Sequence, residues 1–341
     1  MSASAASLGL KVLRQQRRDA TAALRVLRDA FENPPEGSTR AADLSWCENQ
    51  PFRDRSWLKE TLEVAGFLTS SLCLSADEHL EAIECLRDRP MTPHADLTLV
   101  RSVMEAALSI IWLCCPGGGV ESRLCRSAAM FFESNAGQLT LLEATPGQEE
   151  NLRRVTEVVV EYETKLHEHG FTVRRNKRGY VESVSYGQGT APIRRNITSL
   201  AEDAFGDYAF IYGLTSGATH SRIWLTQGME GTRIDLDRAA IAPLLDFSDA
   251  VIDSLGAYLS VNVDNWLRAT HTRRIALLPR DPAVPSVDFD TYRGRRRAGG
   301  SVIKSATPLG LGASFGGMFS QSGLHEYRWA ATGVPTTDER P

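Results

Sequence analysis

The most apolar stretch of the chain, ADLTLVRSVMEAALSIIWLCC, contains one stripe of polar side chains. Arg101, Glu105 and Ser109 recur at i, i+4 and i+8, so they share one face of a helix, where Arg101 and Glu105 are spaced for an ion pair. Two interpretations stay open. The stripe is either the one face of this helix that meets solvent, or a buried set that needs partners on other helices and marks a functional site.

A second polar stripe follows in DYAFIYGLTSGATHSRIW, if that segment is continuously helical. It comprises Tyr208, Tyr212, Ser216, His220 and Trp224. The histidine is a candidate general acid or base, because imidazole is the usual proton-transfer group of enzymes, while the hydroxyl groups are candidate hydrogen-bond donors. Alternatively, Gly213 and Gly217 interrupt the helix and place His220 in a turn. In a third interpretation both stripes form a structural network that sets the register of the helices.

The two segments together resemble a group of uncharacterised bacterial all-α proteins. That group carries an R-S-x-x-E-A helix followed by W-L, and later a Y-x-x-x-S-x-x-x-H segment. The matching residues here are Arg101, Ser102, Glu105, Ala106, Trp112, Leu113, Tyr212, Ser216 and His220. The group is distantly similar to HEPN-type helical domains, several of which are ribonucleases or toxins of bacterial defence systems.

The resemblance implies an accessory or defence-type protein that binds RNA or a nucleotide, with ribonuclease activity as a further expectation. It implies that Arg101 binds phosphate and His220 acts as general acid or base, with Glu105 as the third catalytic residue. The expected substrate contacts are Tyr208, Tyr212, Ser216 and Trp112. The arginine that HEPN ribonucleases carry in an R-x4-6-H motif does not precede His220, so Arg101 would have to approach this histidine through space.

Two other function classes remain open. One is an enzyme or binding protein for a small molecule, with its pocket between the central helix and the second stripe. A non-enzymatic interaction protein is the other, with a protein partner or a second copy of the chain. No cofactor and no metal site is predicted, because the sequence contains no dinucleotide or phosphate-loop fingerprint and no zinc or di-iron spacing.

Two basic runs are candidate phosphate contacts. The first, at the tip of a predicted hairpin, comprises Arg174, Arg175, Lys177 and Arg178. The second comprises Arg293, Arg295, Arg296 and Arg297 in the C-terminal tail. A solvated turn and a solvated tail explain the same runs without any ligand.

The composition predicts a folded cytoplasmic protein. Apolar residues make up 42% of 341 residues, and 38 basic against 42 acidic side chains give a net charge of -4, which excludes a generally basic nucleic-acid coat. The six cysteines include no CxxC pair, the N-terminus has no apolar core of a secretory signal, and the longest apolar run is too short to span a bilayer.

Helical periodicity dominates the chain and predicts an all-α, multi-helix bundle with a small β-hairpin insertion and a flexible C-terminal tail. The predicted helices cover 8–31, 56–72, 75–89, 94–115, 120–144, 148–169, 193–203, 207–225 and 237–269, with a loop over 37–54 and the hairpin at 170–187. We expect an N-terminal helical segment over 1–92, a core bundle over 93–278 and a Gly/Pro-rich tail over 279–341.

Overall fold

Ten helices and one antiparallel sheet account for most of the chain in a computed structural model, which describes residues 3–87, 93–115, 117–205, 209–220, 233–277 and 289–290. The N-terminal half contains α1 (Ala3–Glu32), α2 (Thr39–Glu48), α3 (Phe52–Arg87), α4 (Pro93–Cys114), α5 (Gly119–Ala144) and α6 (Glu149–Glu168). The sheet consists of β1 (Thr172–Arg175), β2 (Val181–Tyr186) and β3 (Gly189–Pro192). The remaining helices are α7 (Ile197–Phe205), α8 (Ala209–Thr219), α9 (Arg233–Leu259) and α10 (Asp264–Leu277). The predicted all-α bundle with a hairpin insertion is confirmed.

Helix α4 lies at the centre, in contact with α3, α8, α9 and α7. Its sequence is apolar nearly all round, as expected for a helix that other helices surround, and Val100, Met104 and Leu108 are almost fully buried. Among the described residues it is the one helix long and apolar enough to cross a bilayer, yet 61% of that window is buried inside the protein, as in a core helix. The described residues therefore provide no evidence for a membrane span.

Two hydrophobic clusters stabilise the fold. The larger one joins α1, α3 and α4 to α7, α8, α9 and α10. The smaller one joins α2, α3, α5 and α6 to the sheet. Helices α1, α2 and α3, which precede residue 92, thus share their hydrophobic clusters with helices that follow it.

The predicted hairpin is present, and a third strand extends it. Strand β1 pairs antiparallel with β2, and Gly179 supplies the positive φ of 82° that the loop between them requires. Strand β3, which the sequence analysis did not predict, pairs with β2. Gly189 in β3 lies so close to α5 that a Cβ atom would stand 2.5 Å from the backbone of Glu121. The sheet therefore packs closely against the N-terminus of α5.

The predicted loop over 37–54 was wrong, because residues 39–48 form α2. Ser38 caps this helix by accepting a hydrogen bond from the backbone N–H of Ala41 at 3.1 Å. Its buried face is formed by Arg40, Asp43 and Cys47. Two of these three residues are charged, so the face carries no apolar periodicity.

Three other predicted boundaries need correction. The predicted helices over 56–72 and 75–89 form the single helix α3, in which the S-x-x-E pattern at Ser75 does not start a new helix. The predicted helix over 237–269 is divided between α9 and α10. Ser260 has a φ of 54°, and the N–H of Val261 donates to the carbonyl of Gly256 at 2.9 Å, which together end α9 in a Schellman motif. The predicted helix over 193–203 begins later, at Ile197.

Several predictions lie outside the described residues. They concern Tyr208, Trp224, the second basic run at 293–297 and almost all of the C-terminal tail.

Candidate functional site

The polar stripe of α4 is mostly covered by neighbouring elements. Arg101 donates from Nε to Oε1 of Glu105 at 2.8 Å, so the predicted ion pair is formed. The side chain of Arg101 is 16% exposed and that of Glu105 is 42% exposed. Ser109 is buried. The polar stripe of α4 is therefore neither fully exposed to solvent nor fully buried. Of its three side chains, that of Glu105 is the most exposed.

The structure joins the two predicted stripes at Tyr212. Arg101 donates from Nη2 to the hydroxyl oxygen of Tyr212 at 3.2 Å, and its guanidinium carbon lies 4.8 Å from the centre of the tyrosine ring. The third guanidinium nitrogen, Nη1, is buried and has no hydrogen-bond partner among the described residues. This arginine can thus donate one further hydrogen bond to an incoming group.

A second arginine, which the sequence analysis missed, completes the site. Arg195 precedes α7 and donates to Ser109 Oγ and to Glu133 Oε2, each at 2.7 Å. Its side chain is 8% exposed, and its Nε is buried without a hydrogen-bond partner in the described part of the chain. No local pattern announces Arg195, because it stands between the sheet and α7 in a segment without periodicity.

Two guanidinium groups lie close to the indole ring of Trp112. The guanidinium carbon of Arg195 is 5.2 Å from the ring centre and that of Arg126 is 5.8 Å from it. Arg126 also donates to the main-chain oxygen of Trp112 at 3.0 Å. We call the whole set the arginine seam. It comprises Arg101, Glu105, Ser109, Trp112, Arg126, Glu133, Arg195 and Tyr212, with three cations against two carboxylates.

His220 lies apart from the arginine seam. It follows the last residue of α8, is exposed, and donates its backbone N–H to the carbonyl of Ser216 at 3.1 Å. Eight residues separate it from Tyr212, about 12 Å along a helix. Its imidazole has no hydrogen bond or ion pair with Arg101 among the described residues. Ser216, which lies between Tyr212 and His220 in the sequence, is half-buried.

The two glycines of the second stripe differ in their surroundings. Gly217 is buried within α8, whereas Gly213 is exposed and a Cβ atom there would meet nothing within 4 Å. The helix continues through both residues and ends at Thr219. The alternative in which the glycines interrupt the helix is therefore wrong, although His220 does lie in a turn.

The basic run at the hairpin is partly neutralised. Arg174 pairs with Glu182 at 2.8 Å, and Arg175 pairs with Glu163 on α6. Lys177 and Arg178 are exposed and have no ion pair within the described ranges. The hairpin tip therefore presents two available cations rather than four.

The described residues place no group of three or more His, Cys, Asp or Glu side chains where they could hold a metal ion. All six cysteines are free thiols. Burial raises the pKa of Cys47 and Cys114 to about 11 and that of Cys125 to about 12, against an ordinary value of 9.0. These three thiols are therefore protonated at neutral pH.

No protein-family model matches the chain, and neither the curated proteins nor the solved structures with which it was compared contain a match.

Proposed function

We propose that the protein binds a nucleotide or RNA, and that the arginine seam is its phosphate site. The observation that carries the proposal is the pair of largely buried arginines, Arg101, which lies on the polar face of α4, and Arg195, which donates to Ser109 on the same face. Each retains a buried guanidinium N–H with no partner among the described residues. A buried, unused donor on a cation is costly for the fold unless a ligand uses it.

The chemistry of the seam suits a phosphate. A guanidinium group presents a planar fork of donors that matches phosphate oxygens, and a charged hydrogen bond is roughly twice as strong as a neutral one. Glu105 and Glu133 orient the two arginines in the free protein. Both carboxylates are at least one-third exposed, so they can swing into solvent when a phosphate takes their place.

Aromatic rings beside the arginines suit a nucleobase. Trp112 and Tyr212 are half-buried at opposite parts of the seam. Bases of single-stranded nucleic acid stack on such rings with little sequence preference. Lys177 and Arg178 at the hairpin tip supply further phosphate contacts in this proposal.

The same proposal includes an HEPN-like, defence-type role in the cytoplasm, with His220 as the general acid or base. An exposed histidine at the end of α8 suits a long substrate better than a mononucleotide, because the substrate must reach from the seam to His220. RNA cleavage that requires His220 would support this part, while binding alone supports the phosphate site.

The test is fluorescence anisotropy with a labelled ten-nucleotide RNA and a labelled ATP analogue, measured at two salt concentrations. We expect Arg101→Gln and Arg195→Gln each to raise the Kd about tenfold or more, because each removes a charged hydrogen bond to phosphate. Arg153→Gln is the matched control, since Arg153 is exposed on α6 and its ion-pair partners among the described residues are Glu150 and Glu157. Thermal unfolding of each variant verifies the fold.

Two outcomes contradict the proposal. If the wild-type protein binds neither probe, the seam is a structural network and the variants will show only lower stability. If Arg153→Gln weakens binding as much as Arg101→Gln does, the binding is general surface electrostatics. Incubation of the RNA with wild-type protein and with His220→Ala then decides whether the site also cleaves.

A further inference from the structure

A second site lies on the opposite face of the central helix. Val103 and Ile110 lie roughly opposite Arg101 around the α4 axis, and together with Ala107 they line a cavity of about 430 Å³ between α1, α3, α4 and α9. That volume is within the range of roughly 300–1,000 Å³ for small-molecule sites. The proposed phosphate site does not share its lining, so the two sites are independent.

The walls of this cavity are apolar. Helix α1 contributes Leu24 and Leu27, while α9 contributes Phe247, Val251, Ile252, Leu255 and Leu259. Thr69 is one of the polar residues of the lining, and its Oγ1 lies 3.8 Å from Cys114 Sγ, a contact between two weakly polar groups. The interior therefore suits a hydrocarbon chain and not a polar metabolite.

The mouth of the cavity is open and partly apolar. Phe67 and Leu74, both on α3, line the cavity and are 72% and 63% exposed. Exposed large apolar side chains beside a cavity are typical of a surface that a ligand covers.

Three carboxylates and two arginines line the same mouth, and each of the three carboxylates has a cationic partner. Glu63 accepts from Arg40 at 2.6 Å, Asp77 accepts from Arg17 at 2.6 Å, and Glu32 lies 3.9 Å from Arg28. Arg25 is exposed and has no ion pair in the described part of the chain. Arg28 has only loose contacts of 3.8 and 3.9 Å with exposed carboxylates.

A buried cation lies behind one wall. The guanidinium carbon of Arg40 is 4.1 Å from the centre of the Phe31 ring, which lines the cavity. Arg40 is 1% exposed, and its Nε and Nη1 have no hydrogen-bond partner among the described residues. A partly compensated charge in this low-dielectric interior favours an anion nearby and disfavours a cation.

We propose that this cavity binds an anionic amphiphile, with a single acyl chain between α1, α3, α4 and α9 and a carboxylate at Arg25 and Arg28. The apolar walls and the open mouth select the chain, and Arg25, which has no ion pair in the described part of the chain, selects the sign of the head group.

Isothermal titration calorimetry of the full-length protein tests this with dodecanoate, kept below the concentration at which it forms micelles. We expect saturable binding, with decanoate binding about tenfold more weakly because it buries two fewer methylene groups. Dodecylamine has the same chain length and the opposite charge, and we expect it to bind at least tenfold more weakly than dodecanoate.

Matched variants locate the ligand. Ser70 lines the cavity and Ser71 does not, yet both are exposed on α3. Ser70→Trp should reduce dodecanoate affinity tenfold or more, while Ser71→Trp should leave it unchanged. Arg25→Gln should weaken dodecanoate several-fold without changing the weak binding of dodecylamine, and Arg18→Gln on the same helix is its control.

Three results would overturn the proposal. The first is that the wild-type protein shows no saturable binding of dodecanoate, as when another part of the chain covers the cavity. The second is that dodecylamine binds as tightly as dodecanoate. The third is that Ser70→Trp and Ser71→Trp bind dodecanoate with equal affinity.

Discussion

A single buried carboxylate connects three helices of this protein. Asp43 on α2 accepts two hydrogen bonds from Arg123 on α5, at 2.7 and 2.5 Å. It accepts a third, at 3.0 Å, from the hydroxyl of Tyr258 on α9. Burial and the negative charge of Asp43 raise the pKa of Tyr258 above its ordinary value, so the tyrosine stays a donor. The three side chains are a satisfied network, in contrast to the arginine seam.

Removal of the charge of Asp43 should therefore be costly. Asp43→Asn leaves Arg123 as a buried cation without its partner, and we expect the free energy of unfolding to fall by about 3–5 kcal/mol. Urea denaturation measures the change. Glu157→Gln, which breaks an exposed pair with Arg153, is the control and should cost less than about 1 kcal/mol. Equal losses in the two variants would contradict the role given to Asp43.

The sequence predicts part of the candidate site at this scale. The i, i+4 spacing was sufficient for the ion pair of Arg101 and Glu105, because both side chains belong to one helix. The contact from Arg101 to Tyr212 joins residues 111 positions apart. Arg195 precedes α7 and Glu133 belongs to α5, so no spacing along a single helix predicts that they join the site.

At the scale of elements, close helix packing depends on a glycine. Gly66 lies in the interior of α3, and a Cβ atom there would stand 2.4 Å from the ring of Phe31 on α1. The guanidinium carbon of Arg40 lies 4.1 Å from the centre of the same ring. The two helices can approach this closely only because residue 66 has no side chain.

We expect Gly66→Ala to destabilise the protein, by roughly 1–3 kcal/mol, because overpacking forces Phe31 to move. Gly137→Ala is the matched variant, since Gly137 is exposed on α5 with nothing within 4 Å of a Cβ atom. It should stabilise by about 0.5–1 kcal/mol, the intrinsic preference of a helix for alanine. Thermal unfolding shows whether each variant is more or less stable than the wild-type protein. A Gly66→Ala variant that is more stable would contradict the close packing of Phe31 against Gly66.

Helix boundaries were predicted unevenly for physical reasons. The ends of α4, α5 and α6 fall close to the predicted ones, because proline and glycine follow or precede them. The S-x-x-E pattern at Ser75 predicted the start of a helix, but it lies in the middle of α3. Serine and glutamate also occur on the exposed surface of a continuous helix, so the pattern alone does not define a start. In α9 the break falls at Ser260, a residue type that rarely adopts a positive φ.

At the scale of the whole molecule, the two hydrophobic clusters make stability sensitive to alkaline pH. Cys114 belongs to the larger cluster, and Cys47 and Cys125 to the smaller one. Their pKa values are raised by burial, to about 11, 11 and 12 in that order, so the folded protein keeps protons that the unfolded chain releases above about pH 8.5. The stability that these thiols support is fully present below that pH and is lost as pH rises toward the folded values.

Urea denaturation in the presence of a thiol reductant should therefore show a falling free energy of unfolding from about pH 9 upward, by about 1.4 kcal/mol per pH unit for each buried thiol. Cys125→Ala should reduce the dependence of the unfolding free energy on pH by the contribution of one thiol, whatever the stability of this variant at pH 7. Cys85→Ala is the control, because Cys85 is exposed and its loss should not change the slope. A slope that Cys125→Ala leaves unchanged would contradict the assignment.

The sequence by itself determined the helical bundle, the hairpin, the central position of α4 and the ion pair on its polar face. These features are encoded locally, in residue spacing along one helix or across one turn. Only the tertiary structure decided that α2 is a helix with a charged inner face, that Arg195 reaches Ser109 and the ring of Trp112 on α4, and that His220 stands apart from the arginine seam. The same holds for the apolar cavity opposite the seam. These features depend on which elements lie side by side, and that is decided by the packing of side chains far apart in sequence.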